Sequence, residues 1–297
     1  MTLDIYPPYL SSKYLELLRS FFDKRKSYPK GHSLNTGYKL MINGSYGLLN
    51  EYNSPIYYPQ GAMQVTITGQ LYLLYLLELL DKKLSQLLVI QCNTDGTSIK
   101  YKRSERHLVV EAMKEWEEFT KIGLEDVFYK KMIINDVNNY IALDVNNKAK
   151  HKGLFTLDLE KHKNSSFMIV PIALSKYFIE GIPVETTIKN HDNIYDFCGV
   201  VKGKKNFKVN LYGVKNGEVF KETQQRITRY YISKNINRLI KDFEDKRQVS
   251  VHSSNGVTIL NTITDDLKYE DLDRAFYIKE CYKIINNIVK VQNSLFD

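Results

Sequence analysis

Two short stretches, about fifty residues apart, constrain this chain more than anything else in it. Leu87-Leu88-Val89-Ile90-Gln91-Cys92 reads as a buried strand, Asn93-Thr94-Asp95-Gly96 as a tight turn, and Thr97-Ser98-Ile99-Lys100-Tyr101 as a returning strand. The product is a β-hairpin with one acid, Asp95, at its tip. A hairpin tip holds a carboxylate rigidly and exposes it, which suits a hard cation such as Mg²⁺ bound jointly with substrate phosphates. Asn, Asp and Gly also favour turns for backbone reasons alone.

The other stretch is Lys39-Leu40-Met41-Ile42-Asn43-Gly44-Ser45-Tyr46-Gly47. On a helix, residues four and seven apart share a side, so Lys39, Asn43 and Tyr46 form a stripe of one cation, one amide and one ring. A triphosphate needs a flexible positive charge, and a base pair needs a flat surface with close backbone approach; Gly44 and Gly47 permit that approach. Gly47 is also expected to end or loosen the helix. Ahead of it, Tyr14 to Lys26 has apolar residues at helical spacing and a basic end that includes Arg25. Arg25 is either a second phosphate contact or a cation favoured at a helix C-terminus.

The order and spacing of these two elements resemble the fingers helix K-x-x-x-N-S-x-Y-G and the palm hairpin D-T-D of family B DNA polymerases. Gly44 stands in place of the usual Ser, and Asn93 in place of the first Asp, a variant pattern associated with some bacteriophage members. The likeness covers residues 10 to 155. The strand-turn-strand from Asn135 to Leu143 and the basic turn Lys148 to Gly153 look like the K-x-Y element and the turn after it. Asn138 replaces the Lys, while Tyr140, Lys150 and Lys152 match the duplex-gripping positions.

The resemblance implies an α+β right hand. Residues 10–50 are expected to form a helical fingers hairpin, 51–155 an antiparallel palm sheet with packed helices, and 156–297 a mixed α/β thumb. It implies deoxynucleotide addition to a primer 3′-hydroxyl with two Mg²⁺ ions. Asp95 is then the metal ligand and catalytic carboxylate, and Lys39, Asn43, Tyr46, Gly47 and Arg25 bind the nucleotide. Two metals need carboxylates from two strands, and the family takes the second from D-x-x-S-L-Y-P upstream of the fingers. No match to it precedes Tyr6-Pro7-Pro8, and the second carboxylate is not found in this chain. The expectation is therefore a carboxy-terminal part of a split polymerase. Its partners would be primer-template DNA, deoxynucleoside triphosphates and a second polypeptide carrying that motif and the exonuclease domain. A rival reading is a non-catalytic DNA-binding subunit derived from a polymerase fragment, and a third is an unrelated Mg²⁺-dependent nucleotidyltransferase or nuclease.

Within the latter half, Ser165 to Gly181 reads as a short strand and a helix stopped by glycine, with a second helix starting near Pro183. Val200 to Val209 gathers four lysines around Gly203, and Lys204 and Lys205 are expected to ride on DNA phosphates. Arg226 to Ser233 is a basic, aromatic strand.

A net charge of +8 over 297 residues fits a polyanion partner, and 43% hydrophobic residues suffice for a substantial core. Cys92, Cys198 and Cys281 are odd in number and widely spaced, which argues for a reducing compartment and against a zinc site. The apolar run Leu71 to Leu80 is short and charge-flanked, so it is read as a palm core helix and not as a membrane span. With no signal peptide at Met1 to Leu10, the expected location is cytoplasmic, in a bacterial host if the chain is of phage origin.

Overall fold

The computed structural model describes residues 4–94, 96–157, 166–251, 256–262 and 269–294. The chain is a mixed α+β protein whose sheets are all antiparallel, divided into two compact units, Met1–Asp126 and Val127–Asp297.

The first unit begins with an antiparallel helix pair, α1 (Lys13–Lys26) and α2 (Ser33–Leu48). Two contacts fix their orientation: Phe21 packs on Tyr38 with ring centres 6.0 Å apart, and Arg25 reaches Asn35. His32 caps α2, its Nδ1 accepting from the Leu34 amide at 3.2 Å. Gly47 lies inside the helix, which continues one residue further to Leu48.

Helix α3 (Pro59–Lys83) then runs for 25 residues, far beyond the apolar run that announces it, because Pro59 starts it and Gln64 to Gln70 are helical. By length and composition alone it is long and apolar enough to cross a bilayer, and 22% of its most apolar stretch is buried. The expectation of a helix too short to span is corrected on that point. Leu76, Leu79 and Leu80 pack against Val109, Ala112 and Trp116 of α4 (Arg106–Thr120). The Trp116 indole donates to the Tyr72 carbonyl at 2.6 Å. Lys83 bridges Glu111 at 2.7 Å and Glu115 at 3.2 Å across the same helices.

Between α3 and α4 stands the expected hairpin, β1 (Leu87–Cys92) and β2 (Thr97–Tyr101), as a two-stranded sheet. Its register shifts between Val89 and Gln91. The expectation of a buried strand is corrected: Leu88, Val89 and Ile90 are exposed. A run of four apolar residues names a strand without saying which face, if either, is covered.

The second unit starts with the meander β3 (Tyr129–Asp136), β4 (Asn139–Asp144) and β5 (Ala149–Lys152). Sequence resemblance groups this meander with the hairpin in a palm. In the structure Ile133, Ile141 and Phe155 enter the same core as α5 (Ile169–Glu180) and α6 (Val184–Lys189), so the meander belongs with those helices. Gly181, at φ +74°, stops α5, and Pro183 precedes α6, both as the sequence indicates.

Among the described residues, seven further strands form two sheets. β6 (Cys198–Lys202), β9 (Ile227–Ile232) and β12 (Val257–Ile259) are ordered β12-β9-β6. β7 (Phe207–Lys215), β8 (Glu218–Thr223), β10 (Arg238–Phe243) and β11 (Gln248–Ser250) are ordered β11-β10-β7-β8. The lysine-rich segment 203–206 thus connects two sheets; it does not close a hairpin. Helix α7 (Arg274–Ser294) completes the core with Tyr277, Cys281, Ile285 and Ile288. The buried Tyr277 hydroxyl accepts from the Ile232 amide and donates to the Phe197 carbonyl, both at 2.8 Å, tying α7 to the β9 sheet.

Candidate functional site

The α1–α2 pair carries the best-formed candidate. Asn35, only 9% exposed, organises its closed end. Its amide donates to the Arg25 carbonyl at 3.1 Å and the Tyr28 carbonyl at 2.8 Å, while its oxygen accepts from Arg25 Nε at 3.4 Å. One side chain therefore ends α1, shapes the connection to α2 and orients a guanidinium. Asn35 lies one helical turn before Lys39 on α2.

Lys39 and Asn43 are exposed, and Tyr46 retains 41% exposure while its hydroxyl lies 2.6 Å from Thr66 Oγ1 on α3. The Thr66 hydroxyl donates to the Ala62 carbonyl at 2.9 Å, leaving Tyr46 as the donor in the first bond. A Cβ added at Gly44 or Gly47 would meet nothing within 4 Å, so the protein's own packing does not call for glycine at either position. Each still costs the helix about 1 kcal/mol relative to alanine.

The hairpin turn between β1 and β2 is closed by the Asn93 amide donating to the Gly96 carbonyl at 3.0 Å. Asp95, the expected metal ligand and catalytic carboxylate, lies outside the described residues. Among the described residues no group of three or more His, Cys, Asp or Glu side chains is gathered to hold a metal ion. The donor set that two Mg²⁺ ions require is thus not assembled by the described residues alone.

A cleft of about 460 Å³ in the same unit is lined by Asp4, Ile5, Tyr6, Tyr58, Gln64 and Thr68. Its one acid is engaged, since Asp4 accepts from Arg19 at 2.6 Å. Sequence reasoning missed both this cleft and Asn35. No spacing along α2 marks Asn35, because its partners Arg25 and Tyr28 precede that helix.

The remaining expected contacts lie in the second unit. Tyr140 is buried opposite Lys152 on the neighbouring strand, with the ammonium 5.9 Å from its ring centre. The tyrosine supports the sheet, while Lys150 is exposed and Lys152 half-buried. Lys204 and Lys205 are exposed on the connection between the two later sheets.

The charge is strongly localised. The first unit has 15 Lys and Arg against 14 Asp and Glu; the second has 27 against 20. Residues 198–251, from β6 to just past β11, hold 13 cations and 5 acids, a surplus equal to the whole chain's +8.

No protein-family model matches this chain, and no curated protein sequence matches it.

Proposed function

We propose that this chain is the carboxy-terminal, nucleotide- and DNA-binding part of a family B-like DNA polymerase with a right-hand arrangement, acting in template-directed transfer of deoxynucleotides to a primer. The observation that carries this reading is the α2 face on which Lys39, Asn43 and Tyr46 stand at successive turns, with Arg25 held by Asn35, one turn before Lys39. Two cations there suit a triphosphate. Tyr46, steadied by Thr66, offers a ring beside Gly44 and Gly47, where a base pair approaches the backbone without obstruction. The localised positive charge of residues 198–251 supports a polyanionic partner.

Mg²⁺ would be held by Asp95 together with a carboxylate from elsewhere. A second polypeptide is supported by uncovered apolar surface in the first unit. Met63, Ile67, Leu71 and Leu74 fall within one side of α3 and are all exposed. The adjacent sheet has only two strands, and its apolar residues Leu88 to Ile90 are exposed as well. Isolated two-stranded sheets are marginal in water, and exposed apolar strands invite a partner.

The alternative is a non-catalytic DNA-binding subunit, for which the same basic surface suffices. The two are separated by titrating a fluorescent deoxynucleoside triphosphate, and its monophosphate, into the chain and its Lys39→Ala and Arg25→Ala variants. The polymerase reading expects triphosphate to bind more tightly than monophosphate, with each variant losing about tenfold, the 1.4 kcal/mol scale of one charge-assisted contact. Equal binding of both ligands, unchanged in the variants, sinks it and favours the non-catalytic subunit.

A further inference from the structure

The outer face of the β11-β10-β7-β8 sheet is set by its pleat. Phe207, Val209, Leu211 and Leu239 point into the core, so the alternate residues of β7 and β10 point outward. The pairing register places Lys221, Tyr212 and Arg238 in one row across β8, β7 and β10. Two residues along lies Asn210, and two beyond it Lys208 faces Asp242.

Tyr212 is held in place along this face. Its hydroxyl donates to Asp242 Oδ2 at 2.5 Å, and the Asn210 amide donates to the same oxygen at 2.6 Å. Asn210, between them on the strand, is only 2% exposed. Lys221 completes the arrangement, 2.7 Å from Asp242 and with its ammonium 5.3 Å from the Tyr212 ring centre. Burial, the largest single influence, pushes the Asp242 carboxyl up, but its hydrogen bonds with Lys221, Tyr212 and Asn210 together hold it below its usual range. Lys208 and Arg238 are exposed and form no ion pair among the described residues.

We propose that this face is a binding platform for a single nucleic-acid strand, with Lys208, Lys221 and Arg238 on the phosphates and Tyr212 stacking a base. Adjacent strands lie about 4.8 Å apart, so Lys221 and Arg238 flank the tyrosine within about 10 Å. That is a cation-ring-cation row on the scale of one or two nucleotides. A ring immobilised before binding loses little entropy when a base stacks on it, and stacking tolerates any base. The inference deepens the nucleic-acid part of the function proposed above and rests on that part alone.

The test is fluorescence anisotropy of a labelled 12-nucleotide oligothymidylate with the full chain, over a series of salt concentrations, without divalent metal or nucleotide. Lys208→Ala combined with Arg238→Ala is expected to lower the slope of log affinity against log salt by about 1.4, two single-strand phosphate contacts. Lys13→Ala with Lys114→Ala, in the other unit, should leave it unchanged. Tyr212→Ala should weaken binding roughly tenfold, while Tyr212→Phe, which keeps the ring, should stay close to wild type. Circular dichroism establishes that each variant is folded. An unchanged slope in the folded Lys208/Arg238 variant overturns the platform, and unchanged affinity in Tyr212→Ala overturns the stacked strand. Heparin bound as tightly, with the same losses, would mean a general polyanion surface and overturns it too. Because neither metal nor nucleotide is present, failure to extend a primer would not affect this result.

Discussion

The Tyr46 hydroxyl donates to the Thr66 hydroxyl at 2.6 Å, and through it α2 is tied to the first turns of α3. The ring at the end of the Lys39 stripe is therefore positioned by a helix outside the α1–α2 pair. Tyr46→Phe removes one hydrogen bond and Thr66→Val removes the acceptor of the same bond, each costing about 1 kcal/mol. Since both changes delete a shared interaction, the double variant should cost clearly less than the sum. Urea unfolding of the four proteins checks this, and strict additivity would mean that the two hydroxyls are not coupled.

Asn35→Ala should be the more damaging change in the same region. It leaves the Arg25 and Tyr28 carbonyls without their side-chain donor and frees the Arg25 guanidinium. A loss of about 2 kcal/mol is expected, from unsatisfied groups at a nearly buried site. Triphosphate binding should weaken alongside, because Arg25 is no longer oriented. A variant as stable as wild type with undiminished binding would remove Asn35 from the site.

Gly153 and Gly217 both have left-handed backbones, φ +62° and +83°, but different surroundings. A Cβ at Gly153 would collide with the Asn139 side chain and the Asn138 carbonyl, where the β3–β4 turn meets the end of β5; at Gly217 it would meet open space. Gly217→Ala should therefore cost only the conformational strain, about 1 kcal/mol, whereas Gly153→Ala adds a backbone clash and should lose at least twice that. Equal unfolding midpoints for the two variants would contradict this account.

Local signals explain why some of this fold was legible in the sequence. Gly181 and Pro183 bracket the α5–α6 connection, the Asn-Thr-Asp-Gly turn names the β1–β2 hairpin, and apolar spacing from Tyr14 to Lys26 names α1. Pairing between distant strands has no such local signal. The partners of β6 and β7 are β9 and β10, across connections that composition does not encode, so the two later sheets were visible only as basic strands. Of the candidate site, Lys39, Asn43 and Tyr46 could be read from spacing, because one helix carries all three. Asn35 and Thr66 act through contacts between helices, which periodicity on a single helix cannot reveal. The exposure of Leu88 to Ile90 was illegible for a related reason: hydrophobic sequence predicts a need for burial, not the presence of a cover.

His151 gives the second unit a pH dependence whose direction is set by its surroundings. The side chain lies half-buried on β5, with Nε2 2.8 Å from the buried Ser175 hydroxyl on α5, and burial lowers its pKa below the ordinary 6.5. Well above pH 6.5 the imidazole is neutral in both folded and unfolded chains, so it adds no pH dependence there. Below that value the unfolded chain takes up the proton more readily than the folded one. Stability should accordingly decline as pH falls from 6.5 through the depressed folded value, then level off with respect to this group. Urea midpoints measured from about pH 8 to about pH 5 should show this decline in wild type and a shallower one in His151→Gln, which keeps a polar group facing Ser175 but cannot be protonated. Taking the difference between the two proteins cancels the carboxylates that begin to titrate near the acid end of that range. Parallel curves would mean that His151 is as readily protonated in the folded protein as in the unfolded chain.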